Sequence, residues 1–363
     1  MAVQFETVEF SSSDGFHANL QHAHRDLPAD RGPVLLVHGA GVRANIFSPP
    51  TEKTIVSMLL EEGYDVWLEN WRGSIAFEPN PWNLDQAAQY DHPAAVKKVL
   101  EMTGATELKA IIHCQGSTSF MISYMLGLIP EVKVILSNAV SLHPVVPPFS
   151  VFKLKVLVPI VKLIFEYLNP QWGLHAPDLK TKALRWLVQL THPEDDTLVG
   201  KFVSFTYGSG FPALWRLENL DEQTKQWIQH EFAEVPLSFF DHIKKSEQRG
   251  ALVPANALAS TPAYTENSLP ETARIVLFGG EENQCFLPKS QQRTYDYLQA
   301  RQPGKHQLYI LKGYSHLDVF LGKHAHRDVF PIMIKELNYT QPKTKELWPS
   351  PKESSDTGTG TPS

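Results

Sequence analysis

The sequence predicts an α/β protein with a mostly parallel central sheet, helices on both faces, and a helical cap inserted after the sixth strand. Short apolar runs alternate with helix-length amphipathic stretches over residues 33–138, and again over 274–338. Between them, residues 141–265 lose that rhythm, and this stretch holds half of the eight tryptophans: Trp172, Trp186, Trp215 and Trp227.

Taken in order, residues 3–10 and 17–25 alternate like two exposed-edge strands around a Ser-Asp-Gly turn. PVLLVH (33–38) is a continuous apolar run, the mark of a strand buried on both faces. A helical stretch near 51–62 stops at Gly63, and YDVWLEN (64–70) is the next strand. Asp91 reads as a helix N-cap, with Pro93 in the first turn and an apolar stripe through Val96, Val99 and Leu100. Thr103 and Gly104 close that helix. LKAIIH (108–113) is a strand, 115–127 a helix and VKVILSN (132–138) a strand. After the cap come the strand RIVLFGG (274–280), a helix near 289–301, the strand HQLYILK (306–312) and a final helix near 323–338. The expected division is a first core part (1–140), a mainly helical cap (141–265), a second core part (266–344) and a disordered Pro/Ser/Thr/Gly-rich tail (345–363).

Composition bounds the function. The 363 residues are 42% hydrophobic and 20% charged, a globular balance. The net charge, 33 − 39 = −6, argues against nucleic acid as a partner. The N-terminus MAVQFETVEFSSSDG has neither a basic start nor an apolar core, so no export signal is expected. Two cysteines are too few for a disulfide framework and fit a reducing, cytoplasmic setting. The most apolar stretch, 149–168, is broken by Lys153, Lys155 and Lys162, so no membrane span is expected. An amphipathic helix lying on a membrane surface stays open there. No cofactor fingerprint and no metal-ligand pattern stands out, and oligomeric state is not legible.

One segment carries nucleophile chemistry. In KAIIHCQGSTSF an apolar strand runs into His113-Cys114-Gln115-Gly116 and then a helix. This matches the strand–turn–helix of a Gly-x-Ser-x-Gly nucleophile elbow, with Cys114 in the serine position and Ile112 in place of the first glycine. A buried structural cysteine is the bland alternative. A thiol at a helix N-terminus, however, is biased toward thiolate. Ser117 and Ser119 are rival hydroxyls, but both fall inside the helix.

Upstream, His38-Gly39-Ala40-Gly41 follows the first buried strand. A turn there points a backbone N–H at a substrate oxygen, which assigns Ala40 and Gln115 as oxyanion-hole donors and leaves His38 structural. Downstream, His316 lies in the loop after the last strand, where the order nucleophile, acid, base requires the base. The acid position follows RIVLFGG in Glu281-Glu282-Asn283-Gln284-Cys285. Asn283 occupies it if Gly280 is aligned, and Glu282 if the register shifts by one. A thiol, with a pKa near about 8.5, needs less help from its base than a hydroxyl does, so Cys-His-Asn is self-consistent. Asp318 reads as a loop residue.

With these pieces in place, GYDVWLENWRGS and NLDQAAQYDHPAAVKKVLEMTG resemble the acid lipases. HCQGSTSF, LSNAVSLHPVVPP and GYSHLDVFLGKHAHRDVFP resemble more closely the α/β-hydrolase modules associated with cholesterol-oxidase-like members of the glucose-methanol-choline oxidoreductases. The resemblance covers roughly 30–140 and 270–340. It implies the α/β-hydrolase fold and the roles given to Cys114, His316, Ala40 and Gln115. Departures at Cys114 and Asn283 set the chain apart from ordinary triglyceride lipases. The expected enzyme forms an acyl-Cys intermediate on a small apolar ester, lactone, amide or thioester. The alternatives are an acyltransferase or cyclase using the same intermediate, and a non-catalytic ligand-binding homologue.

Overall fold

The computed structural model describes residues 3–25 and 28–339. The tail expected over 345–363 lies outside them. The strands are β1 (Gln4–Ser11), β2 (His17–His24), β3 (Pro33–Val37), β4 (Asp65–Asn70), β5 (Leu108–His113), β6 (Val132–Asn138), β7 (Tyr167–Leu168), β8 (Val235–Pro236), β9 (Arg274–Gly280) and β10 (Gln307–Leu311). Eight of them form one sheet in the order β1-β2-β4-β3-β5-β6-β9-β10, while β7 and β8 pair separately. β2 pairs antiparallel with both its neighbours, and every other pairing in the large sheet is parallel.

The alternation of side chains along the strands builds two cores. Leu35, Val37, Ala110, Ile112, Ile135 and Leu277 face one layer, which holds Val96, Val99, Phe120 and Met121. Val34, Leu36, Ile111, Leu136, Val276 and Phe278 face the other, which holds Ile55, Leu59, Phe330 and Met333. Burial on both faces is why these strands read as unbroken apolar runs. Only β1 and β10 are edges, so the expectation of two exposed-edge strands holds for β1 alone. β2 is interior to the sheet order, and its half-polar pattern reflects buried Ala18, Leu20 and Ala23, with the remaining side chains partly or fully exposed.

Two helix expectations are corrected. Asp91 caps nothing. Asn83 caps a helical run that starts at Leu84–Gln86 and passes through a π-turn, Ala87–Asp91, into His92–Thr103. The buried Asp91 carboxylate instead takes Arg72 in a two-pronged ion pair, Nη2 to Oδ1 at 2.7 Å and Nε to Oδ2 at 2.8 Å. The final helix is split into Ala325–Asp328 and Phe330–Leu337, because Pro331 cannot supply the N–H a continuous helix needs.

β3 has β4 on one side and β5 on the other, so the chain reverses its direction of travel across the sheet at this point. The crevice beyond the carboxyl ends of β3 and β5 is where such sheets hold ligands. From β6 the chain leaves the sheet and returns at β9. Between them lie six α-helices of five residues or more: Pro148–Phe152, Val158–Lys162, Leu179–Thr191, Leu198–Tyr207, Glu222–Ile228 and Ser238–Arg249, the first two joined by the π-turn Lys153–Leu157.

Candidate active site

β5 delivers Cys114 to the crevice. The residue opens the helix Cys114–Met125 with φ 55°, a left-handed value that among the described non-glycine residues only Ala139 shares. Holding a side chain there costs on the order of 1–2 kcal/mol, a strain that lifts the sulfur above the sheet edge. The turn is possible because the helix crosses β3 at contact distance: a Cβ on Gly116 would lie 2.0 Å from the His38 carbonyl oxygen. Gly116→Ala is therefore expected to destabilise the fold by roughly 1–3 kcal/mol and to slow alkylation of Cys114. Thermal denaturation and iodoacetamide labelling measure the two effects. Ile112 stands where a glycine is usual, yet it leaves the turn intact, because its side chain is directed into the core with Val37 and Phe120.

Four groups surround the sulfur. Ring nitrogens of His113 and His316 lie within 4.8 Å of it and of one another. The Cys285 thiol and the Gln115 N–H complete the set. The Cys285 S–H, followed by His316 and Gln115, draws the Cys114 thiol well below its usual range, against the effect of burial. Cys285 moves the opposite way, held up by its neighbour's sulfur and by burial. Of the two neighbouring thiols, the helix N-terminus favours the anion at Cys114, with Cys285 as its S–H donor. Replacing Cys285 with alanine removes a donor, so the pH midpoint for alkylation of Cys114 should move upward. An unchanged midpoint would exclude Cys285 from this role.

The amides fix the histidine protons. Asn283 Oδ1 accepts the backbone N–H groups of Cys285 (2.9 Å) and Phe286 (3.2 Å). Its Nδ2 is thereby turned to His316 Nδ1, 3.1 Å away. Flipping the amide would face its NH2 to two N–H donors, losing two bonds to gain one. His316 thus carries its proton on Nε2. His113 is held alike: Asn138 Nδ2 donates both to its Nδ1 (2.9 Å) and to the His316 carbonyl (3.2 Å). Burial, and next the neighbouring His316 ring, pushes His113 well below the normal histidine range. With both Nδ1 lone pairs taken and both Nε2 atoms protonated, these two imidazoles offer N–H donors to a thiolate and have no free lone pair for a metal ion.

β3 runs into the turn at Gly39, where a Cβ would meet Cys114 Cβ at 2.8 Å. Ala40 lines the same small recess as Cys114 and His316. Among the described residues no group accepts from the Ala40 N–H. Glu282 turns away from the histidine to bind Arg216 at 2.7 Å. Asp318 is fully buried and accepts from the N–H of Ser315 (2.8 Å), the Asn219 amide (2.7 Å) and the N–H of Arg216 (3.2 Å), which braces the loop holding His316. Burial raises its carboxyl to about 6. His38 is structural, its Nδ1–H bonded to the Gly39 carbonyl at 2.6 Å.

A second constellation has triad-like distances. His92 Nε2 lies 2.7 Å from Ser119 Oγ, and His92 Nδ1 lies 2.9 Å from Glu69. All three are fully buried. Ser119 gives its proton to the Gln115 carbonyl at 3.0 Å, so the imidazole donates to the hydroxyl instead of drawing a proton from it. Ser117 is tied to Ser137 at 2.6 Å. Both rival hydroxyls are therefore spent inside the fold.

Above Cys114 and Cys285 opens an apolar pocket, walled by Leu154, Val158, Phe205, Phe239, Phe240 and Phe286 among others, with about 780 Å³ of space, mouth included. The four tryptophans of 141–265 do not line it. Trp172 packs on Phe165, Trp215 bonds Asp195, and Trp186 is 65% exposed. The segment 148–162 has two faces: Leu154, Leu157 and Val158 line the pocket, while Phe149, Phe152 and Ile160 face outward.

Three of the groups in and around this site escaped sequence reasoning. Cys285 was legible in principle, two residues past Asn283 in the same loop. His113 adjoins Cys114, but adjacency in sequence does not reveal a ring turned toward His316. Asn138 ends an ordinary strand and carried no signal.

No protein-family model matches the chain. It is 29% identical to sterol esterase 2 of Saccharomyces cerevisiae over 192 residues, 47% of this chain and 35% of that protein. It is 23% identical to a probable lipase of Schizosaccharomyces pombe over 332 residues, 85% of this chain and 68% of that protein. The chain thus spans about a third of the sterol esterase. Among solved structures, DcsB in complex with its substrate analogue superposes with a TM-score of 0.56 at 14% identity, covering 92% of this chain and 98% of that one. The architecture is the α/β-hydrolase fold.

Proposed function

We propose that this α/β-hydrolase-fold chain is a thiol-dependent enzyme that forms an acyl-Cys114 intermediate on an apolar ester, lactone, amide or thioester. The observation that carries the reading is the Cys114 sulfur, set on a left-handed elbow among N–H and S–H donors at the floor of an apolar pocket. In this reading the thiolate attacks the substrate carbonyl, and the N–H groups of Ala40 and Gln115 receive the oxyanion. Collapse expels the leaving group and leaves a thioester. His316 is the ring partner of the sulfur, and Asn283 positions that ring. The esterase and lipase relatives support hydrolase chemistry. Together with the resemblance to modules accompanying cholesterol-oxidase-like oxidoreductases, they support a lipid- or sterol-derived substrate.

The Asn283 amide favours acyl transfer or cyclisation as a second reading. To activate water, His316 must present a bare Nε2 and move its proton to Nδ1, where it meets the Asn283 NH2. That arrangement disfavours general-base hydrolysis and prolongs the thioester. A nucleophile that needs little deprotonation, such as a thiol or a tethered hydroxyl in a dry pocket, would then capture the acyl group. The test is turnover of p-nitrophenyl esters of graded chain length, in water alone and with an added thiol acceptor. Acceptor-dependent release supports transfer, and equal release in water supports hydrolysis. Failure of every ester to acylate or turn over, with Cys114 no more reactive than a free thiol, would leave only a ligand-binding protein.

A further inference from the structure

We propose that the Tyr207 hydroxyl is a third hydrogen-bond donor to the oxyanion formed on Cys114, a catalytic residue supplied by the inserted helices and not by the hydrolase core. The proposal rests on the reading of Cys114 as the nucleophile.

Tyr207 is the last residue of the helix Leu198–Tyr207. Its hydroxyl is buried and has no hydrogen-bond partner among the described residues. Buried tyrosine hydroxyls ordinarily find one, because an unmet polar group costs about 1–3 kcal/mol. A phenylalanine would fill the same space without that cost, so the oxygen serves something absent from the resting fold. Its place says what. Tyr207 lines the recess formed by Gly39, Ala40, Cys114 and His316, and also the apolar pocket above Cys114. The oxygen rests against the oxyanion turn, where a Cβ on Gly41 would lie 1.9 Å from it. Gly41 also has φ +70°, so space and backbone both require glycine there. Burial, and then the neighbouring sulfurs of Cys114 and Cys285, raise the phenol far above its ordinary range, so it stays protonated and acts only as a donor.

In the reaction the Cys114 sulfur bonds to the carbonyl carbon, and the C=O π pair moves to oxygen. That oxygen then accepts from Ala40 N–H, Gln115 N–H and Tyr207 O–H. Tyr207 keeps its proton throughout. Collapse restores the carbonyl, breaks the bond to the leaving group, and the leaving group takes its proton from water.

Tyr207→Phe separates this role from a structural one. Single-turnover acylation by p-nitrophenyl hexanoate should fall about 100-fold, with KM little changed. Alkylation by iodoacetamide forms no oxyanion, so its rate and pH profile should match the native protein. Thermal stability should be equal or higher. The proposal is overturned if the variant acylates within about threefold of the native rate, or if acylation and alkylation fall together. Native protein that alkylates at Cys114 but never acylates would overturn the acyl-enzyme reading itself, and the role of Tyr207 with it.

Discussion

Cys114→Ala should abolish both the acyl adduct and the rapid alkylation, lowering kcat/KM by roughly 10⁴-fold or more. The expected size follows from the surroundings. Ser117 and Ser119 are bonded within the fold, so neither serine substitutes for the thiol. Cys285 is the one other cysteine, and its neighbours favour it as a thiol. Cys114→Ser should be nearly as inactive. A serine at this turn needs a base, and His316 presents N–H to it. The pH dependence has a definite sign. A thiol lowered by its donors is ionised at pH values where a free thiol, near about 8.5, is not. Alkylation of Cys114 in the native protein should therefore hold its rate as pH falls through that range, while the denatured chain loses reactivity.

Asn283→Asp should raise the rate of thioester hydrolysis by roughly 10²- to 10⁴-fold, the reverse of the loss seen when a triad carboxylate becomes an amide. One carboxylate oxygen can keep the N–H groups of Cys285 and Phe286, and the other then accepts from His316 Nδ1–H. The ring can now release Nε2 to bind a water proton, and the resulting imidazolium faces an anion. Acyl-enzyme that persists in the native protein should turn over quickly in the variant, seen as a shorter lifetime of the adduct by stopped-flow and intact mass. A lifetime unchanged or longer would show that Asn283 does not govern the proton on His316. Glu282→Gln should leave the lifetime alone, since Glu282 serves Arg216.

How far the molecule is legible in its sequence differs between core and insertion. The strands were readable because burial on both faces leaves continuous apolar runs, and β6 and β9 fall on the residues expected of them. The order HG turn, Cys elbow, Asn loop, His loop was readable because this sheet brings the ends of β3, β5, β9 and β10 to one edge. Direction of hydrogen bonding was not. Cys-His-Asn says that an amide can orient the ring, but only the two N–H groups on Asn283 Oδ1 reveal which end of the amide faces His316. Tyr207 was invisible for another reason. The insertion has no strand register to fix which helical residue returns to the crevice. The same lack of register hides which residues wall the pocket, and they are mainly Phe, Leu and Val with no tryptophan.

The most direct measurement of the central claim is intact mass after brief exposure to p-nitrophenyl hexanoate, followed by a tryptic map. One hexanoyl group, labile to hydroxylamine, is expected on the peptide 110–133 that contains Cys114. An adduct confined to Cys285 or to a serine, or no adduct while the ester is nonetheless turned over, would contradict it.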